Sequence, residues 1–369
     1  MTGVRVLVAG WVNSAHVLAW GDALLELGYE VHLAGQQVDN WPPPRDPGRF
    51  ASVHVLDPGS IPGIRDRRIG RGLARVVREL RPDLVHAHWA SGYAWMAARA
   101  RARPLVTSAW GSDLLLPNRR LALRARRALL ASELVFVDSA HLAGAAMRIA
   151  GTDLRVEVVQ WGVDLDRYRP DQPRRDAARR RLGLDNRPTV LSTRALDPIY
   201  NPHVLLEAFS LLRRRLPEVR LVLKHPGASL PPAIEEQLSG LGLDDATLVV
   251  GFVDQEELVD LYRAADAYVS IPSSDSSPRS VWEAIACGVP TVISDLPWAR
   301  EALEDGEHAL LVSVDAEAVA EALERILTER EAATVLAAAA RSVAVDKMDR
   351  RQQLARIDAL YRELLEDQG

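Results

Sequence analysis

Val4-Arg5-Val6-Leu7-Val8-Ala9-Gly10 is a short apolar run closed by glycine, the pattern of a strand buried on both faces of a parallel sheet. Residues 14–27 then set Val17, Leu18, Leu24, Leu25 and Leu27 along a helix that stops at Gly28. Outward from this unit the signal repeats at Val31–Ala34, Val53–Leu56, Leu84–His88, Leu105–Ser108, Leu134–Val137 and Val156–Gln160, mostly with helical stretches between. Arg169-Pro170-Asp171-Gln172-Pro173 interrupts it with two prolines and a charge run, which places the domain boundary there, and the alternation restarts at Thr189–Ser192. It continues through Leu221–Leu223, Leu248–Val250, Ala267–Ile271, Thr291–Ile293 and Ala309–Val312, after which only helices follow, Arg351–Leu365 among them. Strands alternating with helices predict an α/β protein of two Rossmann-like, doubly wound parallel-sheet domains facing across a cleft. Trp41-Pro42-Pro43-Pro44 reads as a rigid loop.

The length of 369 residues suits two domains, and 48% hydrophobic with 26% charged residues excludes a disordered chain. The single cysteine, Cys287, excludes an internal disulfide and a thiolate metal cluster, as expected of a reducing compartment. The opening apolar run is too short for a signal peptide, and no stretch reaches a membrane span, so a cytoplasmic protein is expected. Net charge is −5, divided into +5 over residues 1–165 and −10 over the remainder. A basic first half suits an acidic substrate or an anionic membrane surface, or serves solubility alone. Lys224 and Lys347 are the two lysines.

In open parallel sheets ligands sit outside the carboxyl ends of the strands, and five such ends carry distinctive residues. Gly10-Trp11-Val12-Asn13-Ser14, with His16 just inside the helix, offers Ser14 as a helix cap and free N–H groups to an anion, or is a plain capped turn. No G-x-G-x-x-G is present, which removes support for a nicotinamide cofactor. Val85-His86-Ala87-His88-Trp89 puts two histidines on one strand face, without a third metal ligand nearby; His88 at the tip is the candidate for a substrate hydroxyl and Trp89 for a sugar face. In Ser108-Ala109-Trp110-Gly111-Ser112-Asp113, Gly111 permits close approach and Asp113 either caps a helix or meets substrate. The helix bearing Arg119, Arg120, Arg126 and Arg127 among leucines is either a solvated face or one that touches anionic lipid.

Arg194, after Ser192-Thr193, is placed to grip phosphate or to form an interdomain salt bridge; Pro198-Ile199-Tyr200-Asn201-Pro202 leads into the next helix. The segment Asp275-Ser276-Ser277-Pro278-Arg279-Ser280-Val281-Trp282-Glu283 predicts a helix capped by Ser277, starting at Pro278 and ending at Gly288. Its N-terminus would hold a phosphate, with Asp275 and Glu283 on either side for sugar hydroxyls; alternatively Ser280 and Glu283 form a capping box.

With His86-Ala87-His88, Gly111-Ser112-Asp113, Trp161-Gly162-Val163-Asp164, Arg194 and the run from Asp275 to Gly288, nearly the whole chain resembles the GT-B retaining glycosyltransferases of family 4. Asp275 and Glu283 match the family's paired carboxylates, with aspartate where glutamate is usual, and Glu283-Ala284-Ile285-Ala286-Cys287-Gly288 matches its following helix. Tyr200 stands where the family has a phosphate-binding lysine, Trp110 where it has histidine, and Lys224-His225-Pro226-Gly227 where it has a Gly-x-Gly turn.

The resemblance implies an acceptor-side domain over residues 1–168, a donor domain over 169–345 and a crossing helix over 346–369. It implies that Glu283 holds the donor ribose, that Arg194 and the N–H groups of 276–280 hold the diphosphate, and that Asp275 contacts the transferred sugar. The expected reaction moves a sugar from a UDP- or GDP-sugar to a hydroxyl acceptor with retention, without cofactor or metal, in glycoconjugate or polysaccharide synthesis. Asp275, His88 and Asp113 are its expected catalytic groups. Nucleic acid is not an expected partner; peripheral contact with the inner membrane face is compatible. A phosphorylase, an epimerase and a non-catalytic nucleotide-sugar-binding scaffold are the rival readings, and a pyridoxal-phosphate phosphorylase would need a lysine in a suitable motif.

Overall fold

A computed structural model describes residues 3–38, 47–60, 64–116, 118–225, 227 and 229–367, so that Trp41 to Pro44 lies outside the described residues. The chain forms two compact units: Met1–Gln160 with Gln353–Gly369, and Trp161–Gln352.

In the first unit the strands are β1 (Arg5–Ala9), β2 (Glu30–Gly35), β3 (Ser52–Val55), β4 (Leu84–His88), β5 (Leu105–Ser108), β6 (Leu134–Val137) and β7 (Val156–Val158). They form one parallel sheet in the order β3-β2-β1-β4-β5-β6-β7. Val6, Leu7 and Val8 of β1 are fully buried, as a central strand covered on both faces requires. At the end of β2, Gly35 is obligatory, because a Cβ there would lie 1.5 Å from the Gly10 carbonyl oxygen after β1. Among the covering helices, Arg65–Leu80 buries Ile69, Leu73 and Val76 at helical spacing and leaves its arginines outward.

The second unit holds β8 (Thr189–Ser192), β9 (Arg220–Lys224), β10 (Thr247–Val250), β11 (Ala267–Ser270), β12 (Thr291–Ser294) and β13 (Leu310–Val312). This sheet is also parallel, in the order β10-β9-β8-β11-β12-β13. Its core includes the buried Tyr168, Tyr262, Tyr268 and Trp282.

The unit begins ahead of the proline pair expected as its boundary. Val163 N–H donates to the Met348 carbonyl at 2.6 Å, and Arg263 donates to the carbonyls of Arg167 and Arg169 at 2.7 and 3.0 Å. Tyr168 packs on Tyr262 with ring centroids 6.2 Å apart. A boundary falls where contacts are sparse, and the prolines instead lead into the helix Gln172–Arg181, capped by Asp171. At the other end, the bridge between Val163 and Asp349 keeps the chain in the second unit past residue 345.

The last helix, Arg350–Glu366, carries Tyr361 into the first unit's core. Trp20 Nε1 donates to the Tyr361 hydroxyl at 3.3 Å, the same hydroxyl bonds His86 Nδ1, and the ring stacks on Phe136. Tyr361→Phe strips a partner from two buried nitrogens, each of which then bears about 1–3 kcal/mol of desolvation cost. Urea unfolding is expected to show a loss of at least about 1 kcal/mol; an unchanged midpoint would mean that the hydroxyl bonds contribute nothing.

Candidate functional site

Strand order reverses direction between β1 and β4 in the first unit and between β8 and β11 in the second. Those carboxyl ends are where doubly wound sheets bind ligands, and each is built from residues singled out above.

In the second unit, Arg194 follows β8 and donates from Nη2 to Asp275 Oδ2 at 2.6 Å and from Nη1 to Ser280 Oγ at 3.1 Å. Its guanidinium lies 4.3 Å from the Tyr200 ring centroid, so Tyr200 fixes the plane of the group. The partners lie within the same unit, which disposes of an interdomain salt bridge. Arg194 Nε is buried and meets no hydrogen-bond acceptor among the described residues. Asp275 Oδ1 accepts from Ser276 N–H at 2.9 Å, holding the loop that follows β11.

The helix here is Arg279–Ala286, starting after Pro278 rather than at it, and no side chain caps it. Ser277 adopts a left-handed φ of 47° and accepts at Oγ from Trp282 Nε1 at 2.9 Å, which takes it away from the capping position. The capping box is likewise not formed. Glu283, only 5% exposed, accepts at Oε2 from the Tyr262 hydroxyl at 3.0 Å and at Oε1 from Arg279 Nε at 2.8 Å. Burial, and then the Glu283 charge, push the Tyr262 and Tyr168 hydroxyls above their usual pKa. Two carboxylates and two arginines thus meet at an uncapped helix N-terminus, with Thr193 Oγ1 bonded to both Tyr262 and Tyr268 beside them. Asn201 is otherwise engaged: its Nδ2 donates to the Ile271 carbonyl and Ser273 Oγ at 2.9 and 2.8 Å, tying the start of the same loop.

In the first unit, Ser14 caps the helix Ala15–Glu26 through Val17 N–H at 3.1 Å, and Asn13 exchanges two hydrogen bonds with the Val38 backbone. Both side chains are used by the backbone. His86 bonds Ser108 Oγ through Nε2 at 2.7 Å and Tyr361 through Nδ1, a fully satisfied buried group. His88 is 1% exposed, stacked on His86 and flanked edge-on by Trp20 and Trp110, so it is enclosed where the sequence suggested an open strand tip. Burial lowers its pKa to about 3, and the ring is neutral.

Asp113 is also enclosed, its oxygens accepting from Ala90 N–H at 2.5 Å and Trp110 N–H at 3.0 Å, with burial raising its pKa to about 6. It braces two loops instead of meeting an open surface. Gly111, at φ 91°, makes the turn that lets it do so. The outer groups are His16, exposed and 4.7 Å from the Trp110 ring, and Trp89, 4.5 Å from Trp11. Tyr168, Tyr262 and Tyr268 had no sequence signal beyond their aromatic character, because Tyr168 meets the neighbouring Tyr262 and Tyr268 from a distant segment.

A family model for glycosyl transferases group 1 matches residues 174–343, and one for glycosyl transferase 4-like proteins matches residues 5–139. The D-inositol 3-phosphate glycosyltransferase of Xylanimonas cellulosilytica is 32% identical, over 90% of this chain and 87% of its own. The GDP-mannose-dependent alpha-(1-6)-phosphatidylinositol monomannoside mannosyltransferase of Mycolicibacterium smegmatis is 30% identical over 72% of each. Among solved structures, sucrose-phosphate synthase from Thermosynechococcus elongatus superposes with a TM-score of 0.85 at 20% identity, covering 99% of this chain and 100% of its own. HepE from Anabaena, in complex with UDP and glucose, gives 0.82 at 18% identity over 98% and 100%. These two carry the fold, and the relatives carry the family: the chain belongs to the group 1, family 4 glycosyltransferases and has the GT-B fold.

Proposed function

We propose that the protein moves a hexosyl unit from a UDP- or GDP-sugar to a hydroxyl acceptor, with retention of configuration and without a metal. The observation that carries this reading is the part-buried Arg194 guanidinium, oriented by Asp275, Ser280 and Tyr200 with Nε unmatched among the described residues, beside the uncapped start of the helix Arg279–Ala286. Negative charge grows on the departing diphosphate as the glycosidic bond breaks. Fixed cationic and N–H donors aimed at that charge lower the barrier without reorganising. Arg194, the Ser280 hydroxyl and the N–H groups of Arg279 and Ser280 take that role, and Arg279 sets Glu283.

Glu283 then holds the donor ribose. A carboxylate has about four acceptor sites, and Tyr262 and Arg279 leave capacity for sugar hydroxyls. Asp275 orients the transferred sugar, with Arg194 suppressing its repulsion of the diphosphate. The acceptor oxygen attacks the anomeric carbon from the face the diphosphate leaves, and its proton passes to the departing phosphate oxygen. His16, Trp89 and Trp110 of the first unit meet the acceptor, with His88 and Asp113 supporting them from behind. The names of the relatives favour a polyol or phosphoinositide hydroxyl as acceptor.

No described helix is long and apolar enough to cross a membrane. The helix Arg119–Ala131 has five arginines and no acid, and Leu116, Leu123 and Leu130 are 52%, 62% and 46% exposed at seven-residue spacing. That surface suits peripheral docking on an anionic cytoplasmic membrane face. Sedimentation with phosphatidylglycerol vesicles, and not with phosphatidylcholine vesicles, is expected; binding to neither would remove the membrane from the account.

Two substitutions test the donor site. Glu283→Ala is expected to weaken the nucleotide-sugar about 10–150-fold, the scale of one charge-assisted hydrogen bond at roughly 1.5–3 kcal/mol. Lost thermal stability with an unchanged donor constant would make it a structural group. Asp275→Asn is expected to bind the nucleoside diphosphate about as well as the parent yet transfer sugar at least about tenfold more slowly. Unchanged rates would take Asp275 out of the reaction.

A further inference from the structure

We propose that Lys224 is a second cation of the donor site and contacts the diphosphate of the nucleotide. The inference rests on the donor-site reading above. It starts from charge: Asp275 is matched by Arg194 and Glu283 by Arg279, so the four groups of the site as built sum to neutrality. A diphosphate brings two or more negative charges into the same place, and desolvating them requires further positive charge.

Lys224 is the last residue of β9, which lies beside β8 in parallel. Leu223 is opposite Ser192, so Lys224 stands level with Thr193, the residue before Arg194, at the carboxyl edge of the sheet. It is half-buried, and among the described residues its ammonium makes no hydrogen bond or ion pair. Glu283, on the helix Arg279–Ala286, is near enough to favour the charged form, but burial outweighs it and draws the ammonium below its usual pKa.

Lysine is seldom buried without a partner, because an unmatched ammonium loses hydration for nothing in return. The rest of the chain relies on arginine, with only one other lysine, Lys347. A compact ammonium on a flexible stem is available as a point charge for phosphate.

The test uses the full chain and Lys224→Met, which keeps the length of the stem, with Lys224→Arg as the charge-retaining control. Calorimetry measures UDP, GDP and ADP, and NMR titration measures the matching nucleosides. For the diphosphate the parent prefers, Lys224→Met is expected to raise Kd at least about tenfold and to leave the nucleoside within about twofold. Lys224→Arg is expected to recover most of the loss, and the unfolding temperature of Lys224→Met to stay level or rise. Parent-like diphosphate binding by Lys224→Met overturns the inference alone, as does an equal loss for nucleoside and diphosphate. A parent that binds none of the three diphosphates overturns the donor-site reading, and this inference with it.

Discussion

The ion pair between Arg194 and Asp275, 2.6 Å long and largely buried, is the constraint on which the second unit's site depends. Each member comes from the carboxyl end of a different strand, β8 and β11, and these strands are neighbours at the reversal of strand order. A buried charge left alone is expensive, so Tyr200 beneath Arg194, Ser280 beside it and Ser276 N–H on Asp275 all serve the same pair. The second pair, Arg279 with Glu283, is built within one helix and is held by Tyr262 from outside it. What results is a rigid set of charges that has already met its desolvation cost before a ligand arrives, which is the condition for electrostatic preorganisation.

The first unit uses polar groups differently. Asn13, Ser14 and Asp113 spend hydrogen bonds on backbone and His86 on the Ser108 and Tyr361 hydroxyls, and His88 is closed in by rings. They give shape to the segments after β1, β4 and β5 and leave His16, Trp89 and Trp110 as the outer groups there. The same sheet architecture therefore supplies charge in one unit and shaped aromatic surface in the other. Tyr361, entering from the last helix, ties that aromatic core to the end of the chain.

Much of this was legible in the sequence. Every strand in the described residues coincides with an expected apolar run: the central strands because both faces are covered, and the part-exposed edge strands β3, β7 and β10 because they keep short apolar runs bounded by turn residues. Arg194 was legible as a charge at the end of such a run, and Asp275 and Glu283 as two carboxylates eight positions apart around a helix start, the pattern on which the family resemblance also rests. Other details had no local signature. The left-handed Ser277 shifted the helix start, and a serine in that position reads as a cap in sequence. Asn201 and Asp113 look alike on paper whether they face a ligand or the backbone. The unit boundary escaped because Tyr168 and Val163 are fixed by partners about a hundred or more residues away. Lys224 registered only as a departure in a turn; its lack of partners is a property of the fold.

The central claim is that fixed protein charges, with no metal, stabilise the departing diphosphate. Initial rates of nucleoside-diphosphate release from the turned-over donor, measured in excess EDTA, test it most directly. The account predicts a rate that persists in chelator and is not raised materially by Mg²⁺ or Mn²⁺. Complete loss in EDTA, restored by either ion, would contradict it.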